Sequence, residues 1–146
     1  MSPLSMLLQV VSAFFGVVSL AVLFHVPRKY LLFAGLTGAG GWLVELLVMN
    51  QTENAMVPAF LSAFFVALLS QILARIFKAP VTVYLVPGIL PLVPGVGMYR
   101  MVYYLLQGNR EYASYYFSYT LQVAGMIALA IFVVDSFFRA LYRKKK

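Results

Sequence analysis

Apolar residues fill this chain in long blocks, separated by short polar interruptions. Five blocks can be read: Leu4–Phe24, Tyr30–Met49, Met56–Phe77, Val81–Gln107 and Tyr115–Leu141. Each is close to the ~20 residues that a helix needs to cross a bilayer. Backbone groups in hydrocarbon must be satisfied within the segment, so the blocks are expected to be helices. The pattern predicts an all-α, polytopic membrane protein with five spans, one of them broken by Pro and Gly. A single transmembrane domain is expected over residues 1–146, with no internal repeat.

The fourth block is unlike the others. It places Pro87, Pro91 and Pro94 with Gly88, Gly95 and Gly97 in one apolar run. Proline removes a backbone donor and clashes with the carbonyl four residues back. Each backbone group freed in hydrocarbon costs several kcal/mol unless protein or ligand satisfies it. Such a broken span is expected to line a cavity near the bilayer midplane, as in transporters.

The interruptions alternate in charge. His25-Val-Pro-Arg-Lys and Arg75-Ile-Phe-Lys-Ala-Pro are basic, Asn50-Gln-Thr-Glu-Asn is acidic, and Arg143 to Lys146 form a basic tail. The positive-inside rule puts the basic segments in the cytoplasm. That predicts five full crossings in the plasma (inner) membrane, with an external N-terminus and a cytoplasmic C-terminus. A re-entrant fourth block would instead carry the tail outside. Tyr103, Tyr104, Tyr112, Tyr115, Tyr116 and Tyr119 then read as an outer aromatic belt.

Composition narrows the function. The chain is 63% hydrophobic and 10% charged, with no Cys and one His. Thiolate and His-based metal sites are therefore not expected, and no cofactor is implied. Most of the basic residues behind the net charge of +7 sit in the loops and the tail, which fits membrane anchoring and not nucleic acid. The first basic residue, Arg28, follows the first apolar block, so that block reads as a retained span and not a cleaved signal. No nucleophile–base constellation, HExxH motif or phosphate loop points to an enzyme.

A few residues carry candidate chemistry. Arg100 follows the break and lies about 10 Å inside the outer boundary at 1.5 Å per residue. It either snorkels to lipid phosphates or faces the cavity beside a helix N-terminus that favours anions. Glu45 and Asp135 are proton-coupling candidates, because acids inside spans are rare. The alternative reading makes both interfacial, with Asp135 pairing Arg139. Ala34/Gly38 and Thr37/Gly41 are small pairs suited to close helix packing, with substrate lining as the minority role. His25 reads as a turn residue or a pH sensor. Asn50-Gln-Thr matches the short glycosylation pattern.

Gly88-Ile-Leu-Pro91-Leu-Val-Pro94-Gly95-Val-Gly-Met-Tyr99 resembles the Pro-x-x-Pro-Gly-x-x-x-Tyr signature of the threonine/serine exporter family. Phe24-His-Val-Pro27-Arg-Lys, with the Gly-rich second block, resembles the start of that family's C-terminal half. The likeness covers nearly the whole chain and is to the stand-alone small subunit of split members. It implies proton-driven export of threonine and serine, with a larger membrane subunit supplying the other half of the transporter. Split members are also associated with export of dicarboxylates such as succinate. Arg100 lies outside the matched signature, so its role rests on chemistry alone.

The resulting expectation is a substrate cradle for a small carboxylate. Pro91, Pro94 and Gly95 would keep the backbone unwound. N–H groups at Gly97 to Tyr99, aided by Arg100, would hold the carboxylate, and Tyr99 would add a hydroxyl or a gate. The competing classes are an assembly subunit that transports nothing and an oligomeric channel without proton coupling.

Overall fold

The computed structural model describes residues 2–143; Met1 and residues 144–146, most of the basic tail, lie outside the described residues. The described residues form helices and no strand. They are α1 (Pro3–Leu23), α2 (Arg28–Met49), α3 (Met56–Ile76), α4 (Thr82–Ile89), α5 (Gly95–Leu106) and α6 (Arg110–Arg143). A 3-10 turn, Leu90–Leu92, follows α4. The helices α1, α2, α3 and α6 are each long and apolar enough to cross a membrane. The pair Thr82–Leu92 and Gly95–Leu106, bent by 50°, is apolar enough to act together as a fifth, broken span or as a re-entrant loop. The protein is an all-α polytopic membrane protein.

Helix ends use left-handed residues where a chain reversal needs them. Beyond α5, Gly108 has φ +76. Its N–H donates to Leu105 O at 3.1 Å, and the Asn109 N–H donates to Tyr104 O at 3.0 Å. This double closure satisfies two orphan carbonyls. The Asn109 side chain then accepts from the Tyr112 N–H at 3.3 Å and caps α6. Consequently α6 starts at Arg110, five residues before the start expected from hydrophobicity. Beyond α1, His25 takes the same left-handed position, with φ 57 and the Val26 N–H on Ala21 O at 3.0 Å. The turn reading of His25 matches this geometry.

Helix α2 is the hub. Its small residues let three neighbours approach. A Cβ on Gly38 would overlap Val17 of α1, and one on Gly41 would overlap Val66 of α3. Thr37 is fully buried and lies 3.2 Å from where a Cβ on Gly88 of α4 would stand. The small pairs of the second block therefore pack helices. The Thr37 hydroxyl is satisfied on its own helix, donating to Phe33 O at 2.8 Å.

The break is shorter than the sequence suggests. Pro87 sits inside α4 and Pro91 in the first positions of the 3-10 turn, where a missing N–H matters little. Only Val93 and Pro94 leave helical geometry, with ψ 130 and ψ 59. Gly95 begins α5 and is not part of the unwound backbone. The twelve residues of α5 rise about 18 Å, so the break falls near the middle of a ~30 Å hydrocarbon core. Among the described residues, helix α5 packs on α6 and on no other element, so the pair stands off from α2 and leaves a wedge between them.

Candidate substrate site

The wedge is a cavity of about 470 Å³, within the ~300–1,000 Å³ usual for small-molecule sites. Its floor is Pro91, Leu92 and Val93 of the break, and Leu92 also belongs to the buried core with Val66, Val123 and Ile127. One wall is Trp42 and Glu45 of α2; the other is Gly97 and Arg100 of α5 with Tyr115, Tyr116 and Tyr119 of α6. Met49 and Ala55 border its mouth at the α2–α3 loop. Counting 1.5 Å per residue from the helix ends, Glu45 lies about 6 Å deep and Arg100 about 9 Å deep.

Pro91, Pro94, Gly95, Gly97, Arg100 and Glu45 thus share one cavity. Tyr99 and Asp135 do not line it. Tyr99 is 68% exposed and stacks on Tyr103 at 6.1 Å. The N–H groups also differ from those expected. The Met98 N–H already donates to Pro94 O at 3.1 Å, and Tyr99 lies within the helix. The Gly95 N–H turns back to Val93 O at 2.7 Å. The free first-turn donors are therefore Val96 and Gly97, because Pro94 caps the helix and Gly95 begins it.

Arg100 is held toward the cavity by α6. Its Nη1 donates to the Tyr116 hydroxyl at 3.1 Å, and its guanidinium lies 5.5 Å from the same ring. Tyr116 is in turn stacked on Tyr104 at 5.7 Å, and Tyr104 on Tyr112 at 5.2 Å. These tyrosines join α5 to α6, a role that the belt reading missed. The close approach requires Gly97. A Cβ there would stand 2.5 Å from Thr120 Oγ1, a buried hydroxyl oxygen with no partner among the described residues.

Glu45 has a partner that sequence reasoning did not find. Ser62 Oγ of α3 donates to Glu45 Oε2 at 2.5 Å. The same hydroxyl lies 2.7 Å from the Pro58 carbonyl. Having one proton, it serves either acceptor by rotating. A depth count held the signal. Glu45 lies four residues before the end of α2 and Ser62 six after the start of α3. The reversal between those helices puts them level.

Asp135 belongs to a second cavity, of about 520 Å³, lined also by Gln71, Thr82, Leu85 and Phe132. It accepts from Gln71 Nε2 at 3.2 Å and pairs with Arg139 Nε at 2.7 Å, as the interfacial reading expected. Arg75 donates to Gln71 Oε1 at 2.6 Å and lies over the rings of Phe138 and Tyr142. Leu92, Val66, Val123 and Ile127 are core residues, while Leu85 and Ile131, packed against that core, reach the second cavity.

A discontinuous span whose break floors a charged cavity is the architecture of a membrane transporter. The sequence fits the model described as "Threonine/Serine exporter, ThrE" over residues 9–137, and the chain belongs to that family. No curated protein and no solved structure matches the chain.

Proposed function

We propose that the chain is the small membrane subunit, half of a transporter, of a proton-driven exporter of threonine and serine. The observation that carries this is the placement of Arg100 and the free N–H groups of Val96 and Gly97 in one cavity at the break. A carboxylate there gains a guanidinium and a helix N-terminus together. Pro91, Pro94 and Gly95 shape the floor. Tyr99, outside the lining, serves as an outer gate in this reading.

Glu45 carries the coupling proton. When ionised it accepts from Ser62. When protonated it donates to Ser62 Oγ, whose own proton turns to the Pro58 carbonyl. In both states the Ser62 hydroxyl and Glu45 Oε2 keep a partner, so the carboxyl can titrate without rebuilding that contact. Asp135, fixed by Arg139 and Gln71, contributes a second carboxylate on the cytoplasmic side. The core at Leu92 separates the two cavities, and rocking against a larger partner subunit would expose them in turn.

The test is reconstitution into liposomes. The chain with its larger partner should drive threonine efflux that a protonophore abolishes, and the chain alone should not. Proton-coupled efflux by the chain alone would refute the half-transporter reading. Succinate efflux without threonine efflux would establish the dicarboxylate alternative. Complex formation with no efflux of either would leave an assembly subunit.

A further inference from the structure

We infer that Glu45, positioned by Ser62, is the ammonium subsite of this cavity, so that the site selects zwitterionic α-amino acids against dicarboxylates. The inference rests on the cavity being the substrate site and assigns the group that sets its substrate class.

Glu45 and Arg100 are the charged residues among those that line the cavity. They bear opposite charges, yet among the described residues they form no ion pair with each other. Arg100 is turned to Tyr116 and Glu45 to Ser62, from α6 and α3 respectively. Other helices thus hold the two charges apart across an opening. Among the described residues of the elements packed around Glu45, the cations lie far along their helices. Arg28 and Lys29 are at the opposite end of α2, and Arg75 of α3 is thirteen residues (about 20 Å) beyond Ser62 and turned to Gln71. Helix α1 and the 3-10 turn carry no ionisable side chain. The polar lining of α6 at this level is Tyr115, Tyr116 and Tyr119.

Each ligand class meets this pair differently. An α-amino acid presents its carboxylate to Arg100 and the α5 N-terminus, and its ammonium to Glu45. Both protein charges are then matched. A dicarboxylate brings its second carboxylate against Glu45, a like-charge contact that disfavours it. A monocarboxylate leaves Glu45 without its counter-charge, and sites built around a polar group reject analogues that lack it. The ammonium and the coupling proton also compete for one carboxylate. Protonation of Glu45 from outside would expel the amino acid, which gives exchange in the direction of export.

The experiment uses inside-out membrane vesicles from the native host, which hold whatever the chain assembles with. Exchange of labelled L-threonine is competed with 3-hydroxybutanoate, which lacks the ammonium, 1-amino-2-propanol, which lacks the carboxylate, and succinate. Wild-type protein should prefer L-threonine to each by about tenfold or more, the weight of one charge-assisted contact. Glu45→Gln should bring the threonine-to-3-hydroxybutanoate ratio toward one. Ser62→Ala should move it the same way by less. Arg100→Gln should instead collapse the threonine-to-1-amino-2-propanol ratio. A folding defect cannot produce these mirrored changes, because it alters amounts and not ratios. Unchanged ratios in Glu45→Gln, or wild-type preference for succinate, would overturn the assignment while the exporter reading stands. Absence of threonine exchange in wild-type vesicles would overturn both.

Discussion

At the scale of single residues, the site depends on side chains turned by neighbours that are remote in sequence. Arg100 was legible as an intramembrane cation, but not its direction, because that is set by Tyr116 sixteen positions on. Arg100→Gln is expected to weaken carboxylate binding by about 1–3 kcal/mol, the range for a charge-assisted hydrogen bond. Arg100→Lys should recover only part, since an ammonium lacks the guanidinium fork. Substrate affinity in the assembled transporter checks both, and unchanged affinity in Arg100→Gln would return the residue to a lipid-snorkelling role. Gly97 makes a different demand. Gly97→Ala must push α5 off Thr120 and Tyr119, at about 1–3 kcal/mol for overpacking. Lower thermal stability of the purified protein, with Arg100 less able to reach Tyr116, is the expected result. Full stability with normal binding would show that α5 shifts freely.

At the scale of elements, hydrophobic blocks located the helices well, since the bilayer imposes length and apolarity on each. Block ends were less legible. Helix α6 gains its first turns from Asn109 capping and from tyrosines that pack on α5, neither of which raises local hydrophobicity. The extent of the break was overestimated because each proline was weighed alone. Pro87 is buried within α4 and Pro91 tolerated at a turn start, which leaves Pro94 as the residue that prevents a continuous helix. Replacing it by alanine restores an N–H facing the Leu90 carbonyl. Pro94→Ala should therefore straighten the 50° bend and cut transport more than it cuts assembly. Pro91→Ala alone should do less, and the double variant should resemble Pro94→Ala. Efflux measured alongside co-purification of the complex tests this. Normal efflux in the double variant would remove the break from the mechanism.

At the scale of the whole molecule, the helices are unevenly covered. Among the described residues, helix α5 contacts α6 alone, and much of α1 is exposed, with Leu4, Leu7, Leu8 and Phe15 all at least 60% accessible. Lipid accounts for apolar exposure, but a charged cavity open between helices needs a cover on its open side, which the proposed partner half would supply. Orientation decides what that cavity means. In the orientation proposed from loop charge, the Asn50–Ala55 and Gln107–Asn109 ends would lie outside, the cavity at the break would open outward and the Asp135 cavity inward. Cysteine labelling can read this directly, because the native chain has no cysteine to interfere. Cysteines at Thr52 and Asn109 are expected to react with an impermeant reagent added outside intact cells, and one at Lys78 only after the inner face is exposed. Labelling of Asn109 from the cytoplasmic side alone would make α4 and α5 a re-entrant hairpin. Arg100 and Glu45 would then no longer face the same side of the membrane, and a shared outward-facing substrate site would be untenable.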